Sequence, residues 1–157
     1  MIRNDRNSFA SATEKLIIRD PIRQDLESSS QQVLNELPSG LLWEWDDRFD
    51  VPLLVFPKDM EEEIYAVIKR HFPHQWDINS IKISPQPIRK LLDKCFGIRA
   101  GQSVLATDTN KEAFLFALCW PWDDGATISL RVSLTGKGIM GADQEKIEEH
   151  LRQWFRL

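Results

Sequence analysis

An α+β fold is what this sequence predicts: a mainly antiparallel sheet, a C-terminal three-strand meander plus an N-terminal hairpin, with helices packed on it. Three observations lead there. Ile128, Leu130, Val132 and Leu134 alternate with Thr127, Ser129, Arg131 and Ser133, the period of a strand with one buried face. Ile88, Leu91, Leu92, Cys95 and Phe96 recur at the spacing of one helical face. The predicted elements run α-β-β-α-β-α-β-β-β-α, with short connections between strands and no repeated βαβ unit, which argues against a doubly wound parallel sheet.

Taken in order, residues 1–19 mix charges with Ser and Asn, and a loosely ordered arm is expected there, with a short helix near Thr13 to Ile18. Asp20-Pro21 is a helix start, Asp as cap and Pro at the first turn. Ile22, Leu26, Val33 and Leu37 continue one face until Pro38-Ser39-Gly40, although the polar run Ser28 to Gln32 also suits a linker. Leu41–Asp46 and Val51–Phe56 read as a hairpin around a charged turn, with Pro52 placing the second strand at an edge or at its own start. Asp59 with Glu62 has the pattern of a capping box ahead of Ile64, Val67, Ile68 and Phe72, and Pro73 ends that helix.

Trp76 to Ser84 is expected as a short strand with Ile81 and Ile83 on one face. The helix Ile88–Phe96 follows, with Gly97 as its C-terminal cap. Strands Gln102–Thr107, Glu112–Trp120 and Ala126–Leu134 form the meander. The middle one is apolar on both faces and therefore central and covered on both sides. A Gly-rich connector, Thr135 to Gly141, leads to a last helix carrying Ile147, Leu151, Trp154 and Phe155.

The chain has 157 residues, enough for one domain with its own core, assigned to residues 20–157. A hydrophobic fraction of 42% and a charged fraction of 28% are ordinary globular values. The first twenty residues hold no apolar stretch long enough for a secretory signal, and the longest apolar run, Ala113 to Trp122, is too short for a membrane span, so a cytoplasmic protein without membrane contact is expected. Cys95 and Cys119 lie in apolar runs and read as inert core thiols rather than as a disulfide or metal pair.

Six Trp against one Tyr is the unusual feature of the composition. Trp43-Glu44-Trp45-Asp46-Asp47 and Trp120-Pro121-Trp122-Asp123-Asp124 both place two indoles beside paired aspartates. In a strand, i and i+2 share a face, so each segment offers an apolar platform with an acidic margin, as a partner surface would. The bland alternative is core packing, the ordinary fate of an indole, with Trp122 beside its turn the best candidate for exposure. Asp46, Asp47, Asp123 and Asp124 would form an acidic site if their two loops met at one end of the sheet. Their spacing matches no metal loop, and turns favour Asp for their own reasons.

Other chemistry is thinner. His71 and His74 at a helix end lack a third metal ligand, and electrostatics alone favours His there. Gly136-Lys137-Gly138 fails the P-loop pattern and reads as a flexible connector. No cofactor is expected.

Charge is unevenly distributed. Glu44 to Glu63 holds eight acids and two bases, whereas Lys69 to Arg99 holds seven bases and two acids. Arg89, Lys90 and Lys94 share the polar face of the Ile88–Phe96 helix. Such a face meets an acidic partner, docks on phosphates, or simply faces solvent.

The function expected is therefore a non-enzymatic protein-binding or regulatory module, of adaptor or chaperone type. It would use Trp43, Trp45, Trp120 and Trp122 or the basic helix face to hold another protein or a second copy of itself. A small hydrolase or ligand-binding enzyme built on the loop aspartates is one alternative. A nucleic-acid binder is another, disfavoured by the net charge of −4.

Overall fold

Every strand among the described residues pairs with an antiparallel neighbour, and the alternation and short turns of the sequence account for its hairpins. The computed structural model describes residues 17–157. Its elements are α1 (Asp20–Glu36), β1 (Trp43–Asp46), β2 (Val51–Pro57), α2 (Glu61–His71), β3 (His74–Trp76), α3 (Gln86–Leu91), β4 (Ser103–Ala106), β5 (Phe114–Pro121), β6 (Thr127–Thr135) and α4 (Gln144–Trp154). The sheet order is β1-β2-β6-β5-β4-β3. The hairpin and the meander expected from sequence are thus edge-joined through β2 and β6, where Leu54 sits opposite Leu130.

The two faces are covered unequally. One face packs Leu54, Leu115, Leu130 and Val132 against α1, α2 and α4 and forms the larger core. The other packs Val104, Phe114, Phe116 and Leu118 against Ile88 and Leu92 of the α3 segment. That single short helix covers β3 to β5 and leaves the β6 and β2 side of its face without a helix. Phe114 through Cys119 are all buried, as the doubly apolar strand requires. Leu151 and Trp154 of α4 are buried in the larger core, and Gln31 of α1 donates to the Trp154 carbonyl at 2.9 Å. The run Ser28 to Gln32 is helix, not linker, and the buried Ser30 hydroxyl donates to the Leu26 carbonyl. Among the described residues no helix is long and apolar enough to cross a membrane. The expected arm, residues 1–19, and its helix lie outside the described residues except for Ile17, Ile18 and Arg19. Of these Ile18 is buried in the larger core.

Several local expectations are corrected. Trp76 to Ser84 is not a strand: β3 ends at Trp76, and Ile81–Ile83 is a 3-10 turn that leaves Ile83 81% exposed. Asp77 causes this, because its carboxylate accepts the backbone N–H groups of Asn79 and Ser80 and closes an Asx turn. Asp59 caps nothing; a 3-10 turn at Lys58–Met60, tied down by Lys58 N–H to the Ala126 carbonyl, precedes α2. Asp20 is the first residue of α1 rather than its cap, and it pairs with Arg23.

Cys95 is exposed, not buried. The helix passes at Leu92 into a π-type turn ending at Phe96, where the N–H of Gly97 bonds the Leu92 carbonyl. The wider turn takes in one extra residue, which rotates Cys95 outward and brings Phe96 over the sheet. Nor is Gly136 part of a loose connector. It is buried at φ 137°, and a Cβ there would stand 2.7 Å from the Cα of Ala113.

Candidate functional site

On the part of the sheet that α3 leaves bare, the alternation of β6 puts Ser129 and Arg131 on the same face as Trp120 of β5 and Asp46 of β1. An arginine there must find a counter-charge or hold its head in water. Arg131 reaches across β2 and donates from Nε to Oδ2 of Asp46 at 2.6 Å, and from Nη1 to the Ser129 hydroxyl at 3.0 Å. The other Asp46 oxygen accepts the backbone N–H of Arg48 at 2.9 Å. Asp46 thereby ties the sheet face to the β1–β2 turn, whose return is closed by Asp50 N–H to the Asp46 carbonyl, with Asp50 at φ 56°.

The turn carries Phe49 back over the sheet. Its ring lies 5.6 Å from that of Trp120 and 5.1 Å from that of Phe96. The Arg131 guanidinium stacks 4.3 Å from the Trp120 centroid and 5.5 Å from that of Phe49, so the ion pair also fixes the aromatics. Phe96 comes from the π-type turn, and the loop after it is pinned by Gln102, whose Oε1 accepts the Arg99 N–H at 2.8 Å. Between these walls is a slot of about 330 Å³ lined by Phe49, Phe96, Trp120 and Gln102, with Arg48 and Arg99 as its charged groups. That volume is at the small end of ligand sites, enough for one ring-sized side chain.

A larger open cleft of about 1240 Å³ begins at Ile17, where the described residues begin. Of the charged groups on its wall, Arg19 pairs with Glu112 and Lys111 with Asp25, which leaves Lys137 as a single cation without an ion pair among the described residues. It gathers no convergent chemistry.

The site residues expected from sequence do not form one surface. Trp43 and Trp45 share a face, as a strand demands, but it is the larger-core face. Trp43 packs edge-on to Phe155, and Arg152 lies over Trp45. Trp120 points to the opposite face, into the slot. Trp122 is in the β5–β6 turn and 48% exposed. Of the aspartates, Asp46 is buried and ion-paired, and Asp47 is exposed in the turn.

Asp123 and Asp124 sit at the β5–β6 turn. That turn adjoins the Pro57 end of β2, whereas the β1–β2 turn adjoins its Val51 end. The two turns thus leave β2 at opposite ends, roughly 20 Å apart along the strand, and the expected convergence of carboxylates does not occur. Asp124 holds its own turn, accepting from Ala126 N–H and from Thr127 N–H and Oγ1, and these bonds hold its carboxyl below the usual range.

Arg89 and Lys90 of α3 and Lys94 of the π-type turn are exposed, and among the described residues they enter no ion pair. His71 bonds Glu36 at 2.7 Å, while His74 lies on β3 beside Trp76. No group of three or more His, Cys, Asp or Glu that could hold a metal occurs among the described residues. Cys119 is buried, and burial pushes its thiol up to about 12, with a smaller push from the charge of Glu61.

Sequence reasoning missed Arg48, Phe49, Phe96, Arg99 and Arg131 as site residues. Two signals were present: a lone Phe within Asp47-Arg48-Phe49-Asp50, and a lone charge within the otherwise small polar set Thr127, Ser129 and Ser133. Comparison with protein-family models, with curated proteins and with solved structures gives no match.

Proposed function

We propose that this chain is a non-enzymatic protein-binding module, and that its contact surface is the Phe49–Phe96–Trp120 slot together with the neighbouring basic face of Arg89, Lys90 and Lys94. One observation carries the reading. The slot is an aromatic recess left open on a sheet face, and its shape is set by the buried Asp46–Arg131 pair beneath it. A preformed recess loses little on binding, because its walls need no ordering. Aromatic and arginine side chains around a small desolvated pocket are the composition of an interface anchor point. A hydrolytic reading has less support, since no carboxylate lines the slot and Asp46 beneath it is engaged by Arg131 and by Arg48 N–H.

Affinity capture from native extract, with bound proteins identified by mass spectrometry, tests the reading. A partner held by the wild type and by Trp122→Ala, and lost on Phe49→Ser combined with Arg99→Glu, supports it. Capture of the same proteins by the slot variant, or of none by the wild type, counts against it.

A further inference from the structure

Arg48 and Arg99 are the charged residues lining the slot, and among the described residues neither belongs to an ion pair. Both are exposed, whereas the arginine beneath them, Arg131, is neutralised by Asp46. The chain from Lys82 to Arg99 carries five bases (Lys82, Arg89, Lys90, Lys94, Arg99) against one acid, Asp93. The segment that supplies Phe96 and Arg99 to the slot is thus net positive in an otherwise acidic protein. Asp47 and Asp50 flank the arginine on the turn in sequence but do not line the slot.

We propose that the slot takes an acidic peptide segment of a partner protein. One aromatic side chain of that segment seats in the open slot, against Phe49, Phe96 and Trp120. Its neighbouring carboxylates meet Arg48 and Arg99, and the acidic chain beyond them runs along Arg89, Lys90 and Lys94. The inference rests on the reading of the slot as a protein-binding surface and adds the chemistry of what binds. Three points select this occupant. The recess accommodates one ring, and a ring buried there gains edge and face contacts with three others. The guanidinium fork suits carboxylates. A nucleic-acid strand is disfavoured, because it stacks successive bases along a row of aromatics, whereas this recess accommodates one ring.

The probe is a fluorescein-labelled peptide of Asp and Glu with one central Phe, followed by fluorescence anisotropy on the full chain up to millimolar protein. Its controls are the Phe→Ala peptide, the amide version with Asn and Gln for Asp and Glu, and an oligo-dT strand. The acidic Phe peptide should bind and the amide version should not. Removing the ring should weaken binding on the order of thirtyfold. Reversing Arg48 and Arg99 together to Glu should weaken it at least about tenfold at low salt, a difference that shrinks as salt is added. Both arginines are exposed, so these variants keep the fold, which circular dichroism verifies. Arg48→Gln with Arg99→Gln is the milder second variant.

No binding of the acidic Phe peptide, binding indifferent to both arginine variants, or tighter binding of oligo-dT would each overturn the proposal. Partner capture that depends on the slot, with no acidic-peptide binding, removes this chemistry but leaves the binding surface. Acidic-peptide binding with partner capture that ignores the slot does the reverse.

Discussion

The guanidinium of Arg131 on β6 passes over β2 to bond the carboxylate of Asp46 on β1, with the two side chains 14% and 8% exposed. A pair this buried is held at a desolvation cost, and its worth shows mainly when one partner is removed. Asp46→Ala strands the Arg131 charge, frees the Arg48 N–H and unpins the hairpin turn. A loss of about 3–5 kcal/mol is expected in urea unfolding. Replacing both partners with apolar residues, Asp46→Leu with Arg131→Met, should recover most of that loss in stability. It should also loosen the slot, since the stacking on Trp120 goes with the arginine. Equal losses from the single and the double replacement would show that the pair is not what couples β1 to β6.

Much of the sheet could be read in the sequence because burial writes a period into it. The alternation of β6 and the unbroken apolar run of β5 required one arrangement, and the structure has it. The slot could not be read that way. Its walls come from the hairpin turn, a π-type turn and β5, and nothing in a linear pattern says that Phe49 folds back to Trp120. The π-type turn itself defeats a helical wheel, which is why Cys95 faces outward. Convergence of the aspartates failed for a related reason: the strand order, which no local pattern specifies, puts their turns at opposite ends of β2.

Gly136 adopts φ 137° and ψ 163°, a backbone region open in practice to glycine alone, and a Cβ there would also crowd the Glu112 carbonyl oxygen. Gly136→Ala should cost about 1–3 kcal/mol from backbone strain, with the clash against the Glu112–Ala113 backbone added. Gly125→Ala, also at positive φ but with open space around its Cβ position, is the comparison. Thermal unfolding should rank Gly136→Ala as the more damaging, and the opposite ranking would refute the close approach.

His150 stacks on Trp154 at 5.3 Å, and burial first, then the nearby charge of Arg23, holds its pKa below the ordinary 6.5. The unfolded chain therefore takes up this proton first as pH falls. This contribution to stability is full above about pH 6.5, declines between 6.5 and the lower folded-state pKa, and is constant below it. His150→Gln should flatten that part of the curve of Tm against pH. Glu36, whose pKa is lowered chiefly by its bond to His71, acts in a separate window. Its contribution declines from the ordinary carboxylate value of 4.5 downward and is lost as pH falls through its folded pKa. The difference between wild type and His150→Gln above pH 5 thus isolates the histidine, and a flat difference there would mean that His150 is not desolvated by its stack.

The two cysteines should behave as opposites toward a thiol reagent. Cys95 is exposed on the π-type turn, and Cys119 is buried in β5 with its thiol pushed up to about 12. Only the thiolate reacts, and at pH 8 a thiol of that pKa is ionised to about one part in ten thousand. A disulfide reagent added to the native chain should therefore titrate one thiol quickly. Cys95→Ser should abolish that phase, and denaturant should release the second. Because Cys95 is rotated outward only by the π-type turn, the assay also reads the geometry that carries Phe96 into the slot. Were that segment a regular α-helix, Cys95 would lie in the apolar stripe and neither thiol would react in the native chain. Rapid labelling of Cys119, or slow labelling of Cys95, would count directly against the helical register that builds one wall of the slot.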